Sequence, residues 1–259
     1  MLRNSESESF QLQDTEQILG IDFFQGTLEE ACCQARAGGL TVAPSGPGMA
    51  CDLTKCDEYC LSLNKADLRL LDSGFISFWS RLFFMKKLRR ISGLTFLKEY
   101  LSKTNWKSES SIWIMPNQEQ SHANIEWVKK EFNFQVPSGC VYVAPLYSKK
   151  GKIVDKKLLK LVERKKPENI FIQLGGGVQE RLGYFLCKSC PPSVSIICTG
   201  AAHSFLSGQQ AKIPAWADRF FCGWLLRCLD KPKIFIPRYI KAFRLVYLLL
   251  RFGKKLPAG

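Results

Sequence analysis

Short apolar runs and segments of helical spacing alternate along most of this chain. Runs rich in Ile, Leu, Val and Phe, bounded by Gly, Pro, Ser or Asn, read as strands over residues 18–24, 40–43, 66–72, 110–115, 140–144, 170–174 and 194–198. Helical segments lie between them over 51–64, 75–84, 121–132 and 155–165; another runs from Gly93 to Leu101, and one opens with Gln179 and Glu180. Thr27-Leu28-Glu29-Glu30 starts the first helix, with Thr27 as predicted N-cap and Glu30 at the reciprocal capping position. That helix runs to Arg36 and stops at Gly38-Gly39, whereas Pro44-Ser45-Gly46-Pro47-Gly48 reads as a loop dense in breakers. Residues 1–17 are a polar lead rich in Ser and Glu. Strands that alternate with helices predict a mostly parallel sheet with helices on both faces, a Rossmann-like α/β fold.

Two of the predicted strands end in small residues. The run 170–174 breaks at Gly175-Gly176-Gly177 and resumes as a helix, and the run 194–198 ends in Thr199-Gly200-Ala201-Ala202. Glycine lets the backbone approach a ligand closely, and a helix start offers free N–H groups to an anion. Neighbouring strands with such ends point to a nucleotide or sugar-nucleotide site at the carboxyl edge of the sheet. A dinucleotide fingerprint would need a glycine where Glu180 stands and would lie earlier in the chain, so that class is set aside.

Composition narrows the picture further. With 259 residues, 46% hydrophobic and 23% charged, the chain suits one α/β domain with an appendage rather than disorder. Its eleven cysteines sit mostly in apolar runs (Cys32, Cys33, Cys198, Cys222, Cys228), and the polar start carries no secretory signal, which predicts a reducing cytoplasm and mostly buried thiols. Cys187-x-x-Cys190 has no second pair at metal-like spacing, and Cys51, Cys56 and Cys60 fit no common ligand pattern, so no metal is assigned.

The net charge is +14, and residues 209–259 carry eleven Lys or Arg against Asp218 and Asp230, a local net charge of +9. The same segment holds Trp216, Phe220, Phe221, Trp224, Phe235, Tyr239, Phe243, Tyr247 and Phe252. A basic, aromatic tail suits an anionic membrane surface, a pyrophosphate or a nucleic acid, though no recognised nucleic-acid module is present. The most apolar stretch, 234–252, is broken by Pro237, Arg238, Lys241, Arg244 and Arg251, too often for a span. As a helix it places Ile240, Phe243, Tyr247 and Leu250 near one face and Lys241, Arg244 and Arg251 near another, an interfacial pattern.

Several motifs recur in an order that is specific as a set. These are Ala66-Asp67-Leu68-Arg69-Leu70-Leu71-Asp72 before Ser73-Gly74; Arg90-Ile91-Ser92-Gly93; Gly175-Gly176-Gly177-Val178-Gln179-Glu180; Gly200-Ala201-Ala202-His203-Ser204-Phe205-Leu206-Ser207-Gly208; and Ile213-Pro214-Ala215-Trp216 followed by Gly223, Arg227, Pro232 and Arg238-Tyr239. Over roughly residues 18 to 240 the chain resembles the WecG/TagA/CpsF family of bacterial glycosyltransferases. It departs from the family pattern in four places. Ala43-Pro44-Ser45 replaces Thr-Pro-Asn, Gly177-Val178 replaces Pro-Lys, Ser204 replaces an Asp, and Lys233 stands beside Pro232 where an arginine usually follows.

The resemblance implies an inverting transfer of an N-acetylhexosamine-type sugar from a UDP donor to a polyprenol-diphosphate-linked acceptor, in cell-surface polysaccharide synthesis. Such a transfer needs a base for the attacking hydroxyl and positive charge for the departing diphosphate. By propensity alone, Asp72 is as readily a helix N-cap as a base; the motif assigns it the base. The resemblance further implies donor contacts from Ser45, Gly175, Gly176, Gln179, Glu180, Gly200 and Ser204. Arg227, Lys233 and Arg238 would neutralise the diphosphate, with no metal and no cofactor. His203 occupies an aromatic position of the family and reads as a packed histidine.

The expected organisation is a lead over 1–17, a glycosyltransferase core over 18–208 and a membrane-associating appendage over 209–259. The expected location is the cytoplasmic face of the cell membrane, touching anionic lipid, without nucleic acid and with self-association left open. The alternatives are a divergent or inactive sugar-nucleotide-binding paralogue and a basic nucleic-acid-binding protein.

Overall fold

The computed structural model describes residues 14–106, 111–200, 202–208, 223–230 and 232–257, and every structural statement below concerns these. Expectations on residues 1–13 and 209–222, including Ile213-Pro214-Ala215-Trp216 and Cys222, lie outside the described residues, as do the side chains of Phe205, Trp224, Arg227 and Arg238.

Six parallel strands form the sheet: β3 (Gly39–Val42), β4 (Leu68–Arg69), β5 (Ser111–Met115), β6 (Val141–Val143), β7 (Asn169–Ile172) and β8 (Ser195–Cys198), in the spatial order β4-β3-β8-β7-β5-β6. Every residue of β5, β7 and β8 is buried, which is why these strands read as continuous apolar runs. Side chains alternate between two cores. Leu40, Val42, Ile112, Ile114, Ile170, Ile172, Ile196 and Cys198 face one; Leu68, Trp113, Met115, Phe171 and Ile197 face the other.

The first core is closed by α2 (Gly46–Asp52), α3 (Asp57–Asn64), α4 (Gly74–Phe83), α7 (Lys156–Lys165) and α8 (Val178–Cys187). The second is closed by α1 (Leu28–Arg36), α5 (Gly93–Ser102), α6 (Gln118–Phe132) and α9 (Ala202–Leu206). Helices therefore cover both faces, as the strand and helix alternation predicts. The capping box of α1 is present as expected, with the Thr27 hydroxyl accepting from Glu30 N–H and Glu30 Oε2 accepting from Thr27 N–H at 2.6 Å.

Three local expectations are corrected. Residues 18–24 are not one strand: β1 (Thr15–Ile18) and β2 (Ile21–Phe24) pair antiparallel about Leu19 and Gly20, whose φ of 50° and 74° make a tight two-residue turn. Strand β1 thus lies partly within the expected lead. Ser45 caps α2 by accepting from Gly48 N–H, so helix starts where breakers suggested a loop; a proline in the first turn is compatible with a helix. The expected helix over 51–64 is two helices, because the chain turns at 53–56 to bury Leu53 and Cys56.

Among the described cysteines, Cys32, Cys56, Cys140 and Cys198 are buried, Cys33 is exposed and the others are half-buried. Burial pushes the Cys190 thiol up to about 11.

The C-terminal helices are α10 (Gly223–Asp230), α11 (Pro232–Ala242) and α12 (Arg244–Phe252). Both α11 and α12 pack against α2. Leu245, Leu248 and Leu249 are at most 4% exposed and belong to the first core, while Ile240, Phe243, Tyr247 and Leu250 are 59–71% exposed. The chain end also returns to the N-terminal hairpin: Leu19 N–H donates to Gly253 O at 2.9 Å and Gly20 N–H to Lys254 O at 2.8 Å. Among the described residues no helix is long and apolar enough to cross a membrane.

Candidate active site

The carboxyl ends of β4, β3, β8 and β7 are neighbours in the sheet, so the segments that follow them meet along one edge. Those segments carry Asp72, Ser45, Thr199-Gly200 and Gly175-Gly176-Gly177 in that order. Glycine contacts show how closely they approach. A Cβ built on Gly46 would lie 2.7 Å from Ser73 Oγ, one on Gly176 would lie 3.6 Å from Ser45 Oγ, and one on Gly93 would lie 3.3 Å from Thr199 O and 3.4 Å from Ala43 Cβ.

Asp72 is half-buried and clamped from two directions. Arg90 Nε donates to its carbonyl oxygen at 2.8 Å, and Gly93 N–H donates to its Oδ1 at 3.0 Å. The two ends of Arg90-Ile91-Ser92-Gly93 thus hold the main chain and the carboxylate of the same residue. Asp72 does not cap the helix that follows it, because Ser73 Oγ accepts from Ile76 N–H and takes that place. The carboxylate instead accepts the first free N–H of α5, whose own N-cap is Ser92. The capping reading is therefore right about the kind of bond and wrong about the helix.

Gln179, Glu180 and Arg181 are all at most 3% exposed, unlike the solvated polar residues of an ordinary first helical turn. Glu180 Oε2 accepts from Gly177 N–H at 2.6 Å, and its Oε1 accepts from Gln179 Nε2 at 3.1 Å. Gln179 Oε1 in turn accepts from Gly200 N–H at 2.6 Å. One chain of hydrogen bonds therefore joins the two glycine segments, with Gly177 (φ 85°) and Gly200 (φ 64°) both in the left-handed region that side chains disfavour. Arg181 braces the same turn through Gly177 O, Gly151 O and Ser148 O. Burial pushes the Glu180 carboxyl above its ordinary value, and Asp52 adds to that push.

Replacing Glu180 with Ala would leave the Gly177 amide and the Gln179 carboxamide buried without this acceptor. At about 1–3 kcal/mol for each orphaned donor, a loss of about 2–6 kcal/mol is expected. A Tm within a degree or two of the unmodified protein would refute this structural role.

The other expected site residues divide. Gly175, Gly176, Gly200 and Ser45 lie on the shared edge; Ser204 is buried on α9, which packs against α5 and α6. Arg227 lies on α10 and Arg238 on α11, and Lys233 is exposed at the start of α11. The helix carrying Lys233 and Arg238 packs on α2, whose cap is Ser45.

The sequence reading passed over Gln173 and named Thr199 only as part of the loop that ends its strand. Among the described residues, both polar atoms of the Gln173 side chain and the Thr199 hydroxyl are buried and have no hydrogen-bond partner. Gln173 carried a readable signal, an amide closing a run otherwise made of Ile, Phe and Leu.

His203 is fully buried between Trp113 and Trp127, with ring centroids 5.2 Å from each, and neither of its nitrogens has a partner among the described residues. Burial lowers its pKa to about 3, so it packs as a neutral aromatic ring. The unfolded chain takes up a proton near pH 6.5 and the folded chain does not, so stability falls as pH drops from about 6.5 towards 3. Urea melts over that range are expected to show a shallower decline for His203→Phe, and equal slopes would refute the assignment.

A family model described as glycosyl transferase WecG/TagA/CpsF family matches residues 16–257, nearly the whole chain. The chain belongs to that family. It is a glycosyltransferase, of a family with a role in cell-surface polysaccharide synthesis. No curated protein matches it in sequence.

Proposed function

We propose that this glycosyltransferase moves an N-acetylhexosamine-type sugar from a UDP donor to a polyprenol-diphosphate-linked acceptor, with inversion and without a metal. The observation that carries the reading is the Asp72 carboxylate, held by Gly93 N–H while Arg90 holds the main chain of the same residue, beside the segments that end β3 and β8. An inverting displacement asks for one carboxylate base on a rigid support. Asp72 takes the proton of the acceptor hydroxyl as its oxygen bonds to the anomeric carbon. The bond from that carbon to the UDP oxygen breaks, and its electron pair leaves with the diphosphate.

The glycine segments, with Ser45 and the Gln173 and Thr199 groups that have no hydrogen-bond partner among the described residues, provide the surface for the donor. Gln179 and Glu180 serve by holding Gly177 and Gly200 in place rather than by reaching into solvent. Arg227, Lys233 and Arg238 are assigned to the leaving diphosphate by motif, and the packing of α11 on α2 supports the assignment of Lys233 and Arg238. The outward apolar stripe of α11 and α12, interleaved with Lys241 and Arg251, fits peripheral contact with anionic lipid at the cytoplasmic face.

The test is transfer by the full-length protein from a panel of UDP-N-acetylhexosamines to a short-chain polyprenol-diphosphate sugar, with the product anomer read by NMR coupling constants. A linkage of inverted configuration is expected, formed in the presence of a chelator. A retained linkage, or UDP-sugar binding with no transfer, would overturn the reading; the second result would favour a sugar-nucleotide-binding paralogue.

A further inference from the structure

A second exposed apolar surface lies far along the chain from the C-terminal tail, on α4 and the turn after it. Phe78 is 54% exposed, Leu82 57%, Phe83 55%, Phe84 58% and Met85 90%. Phe83 stacks on Trp79 with centroids 4.0 Å apart, so the aromatic cluster is built against the body of the protein. Met85 adopts a φ of 52° and ends the helix in a tight turn that presents 83–85 as a tip.

The rim of this surface carries four basic residues against the one carboxylate of Glu16. Arg81, Lys86, Lys87 and Arg89 are exposed around it, and no Asp or Glu stands between residues 73 and 98. Lys86 pairs with Glu16 of the N-terminal hairpin, which fixes one edge of the rim.

We propose that this tip is a membrane-inserting element that seats the core on an anionic phospholipid bilayer. Charge decides the occupant. Two copies of this chain meeting through the patch would bring like-charged rims together, whereas an anionic headgroup layer complements the rim and its acyl boundary takes the Phe, Leu and Met side chains. Continuity supports the same choice: α2 touches α4 as well as α11 and α12, and the segment of those two helices carries the outward stripe of Ile240, Phe243, Tyr247 and Leu250.

The placement also serves catalysis. α4 starts two residues after Asp72 and ends at the tip, and its ten residues span about 15 Å. The base would stand roughly one helix length above the lipid boundary, where the diphosphate of a lipid-anchored acceptor lies. This step rests on the lipid-acceptor reading; the insertion itself does not.

Two measurements on the full-length protein test the proposal. The first is sedimentation with vesicles of phosphatidylglycerol and phosphatidylcholine, against phosphatidylcholine alone. L82S/F83S/F84S/M85S is expected to bind the anionic vesicles about tenfold or more weakly than the unmodified protein, yet to transfer sugar equally well to a short, water-soluble acceptor. The second is hydrogen exchange of the unmodified protein, in which anionic vesicles slow the amides of residues 81–87. That measurement decides the matter if the variant fails to fold. Unchanged vesicle affinity, or exchange at 81–87 that vesicles do not alter, would overturn the proposal. Protection at 81–87 that grows with protein concentration without lipid would assign the patch to a second copy instead. Failure of transfer by both proteins would count against the enzymatic reading and leave the vesicle result to judge the tip.

Discussion

Replacing Asp72 with Asn is expected to lower turnover by about 10²–10⁴-fold while Tm and UDP affinity stay close to those of the unmodified protein. The structure explains why the change is gentle on the fold. Asn keeps a side-chain oxygen that can accept from Gly93 N–H, and Arg90 bonds the carbonyl oxygen of residue 72, which the substitution does not alter. What Asn lacks is the basicity to take a proton from an attacking hydroxyl. Steady-state transfer assays, with a thermal melt of the same preparations, separate the two effects. Near-normal turnover in a folded Asp72→Asn protein would reduce Asp72 to a brace for α5.

A chain ending at Phe243 is expected not to fold. Removing 244–259 takes away Leu245, Leu248 and Leu249, all at most 4% exposed in the first core. At about 1.5–3 kcal/mol for each buried Leu, the loss is roughly 5–9 kcal/mol, comparable with the total stability of a domain at about 5–15 kcal/mol. The Leu19 and Gly20 amides lose their carbonyl partners at Gly253 and Lys254 as well. By contrast Phe243→Ser with Tyr247→Ser, on the outward stripe, should leave Tm within a few degrees and weaken vesicle binding. A truncated protein with a cooperative melt near that of the full chain would contradict the packing described here.

That contrast marks where sequence reading ran out. The spacing of Ile240, Phe243, Tyr247 and Leu250 was visible as one stripe, and the structure leaves it exposed. That stripe runs over two helices, and the second, α12, which holds Tyr247 and Leu250, carries another apolar face; no periodicity distinguishes a face that meets α2 from one that meets solvent. The central strands were legible because burial on both faces leaves their sequence apolar throughout. The hairpin about Leu19 and Gly20 was not, because its turn lies inside a mostly apolar run.

The candidate site was legible as a set of segments rather than as a set of roles. Gly175-Gly176-Gly177 and Thr199-Gly200 do end neighbouring strands, as their small residues suggested. Yet Gln179 and Glu180, polar in a first helical turn, gave no sign that they would be buried and hydrogen-bonded to glycine amides. Arg90 and Gly93 were recognisable as a motif, while their hold on Asp72 is a tertiary fact that spans about twenty residues of chain. Ser45 was read among breakers and proved to be a helix cap.

The central claim, that the carboxyl edge between β4 and β7 receives the sugar nucleotide, is tested most directly by hydrogen exchange of the full-length protein with saturating UDP-N-acetylhexosamine. The account predicts slowed exchange concentrated at residues 45–48, 175–177 and 199–200, with the far edge strand β6 unchanged. Protection confined to other parts of the molecule, or none under conditions where calorimetry records binding, would contradict it.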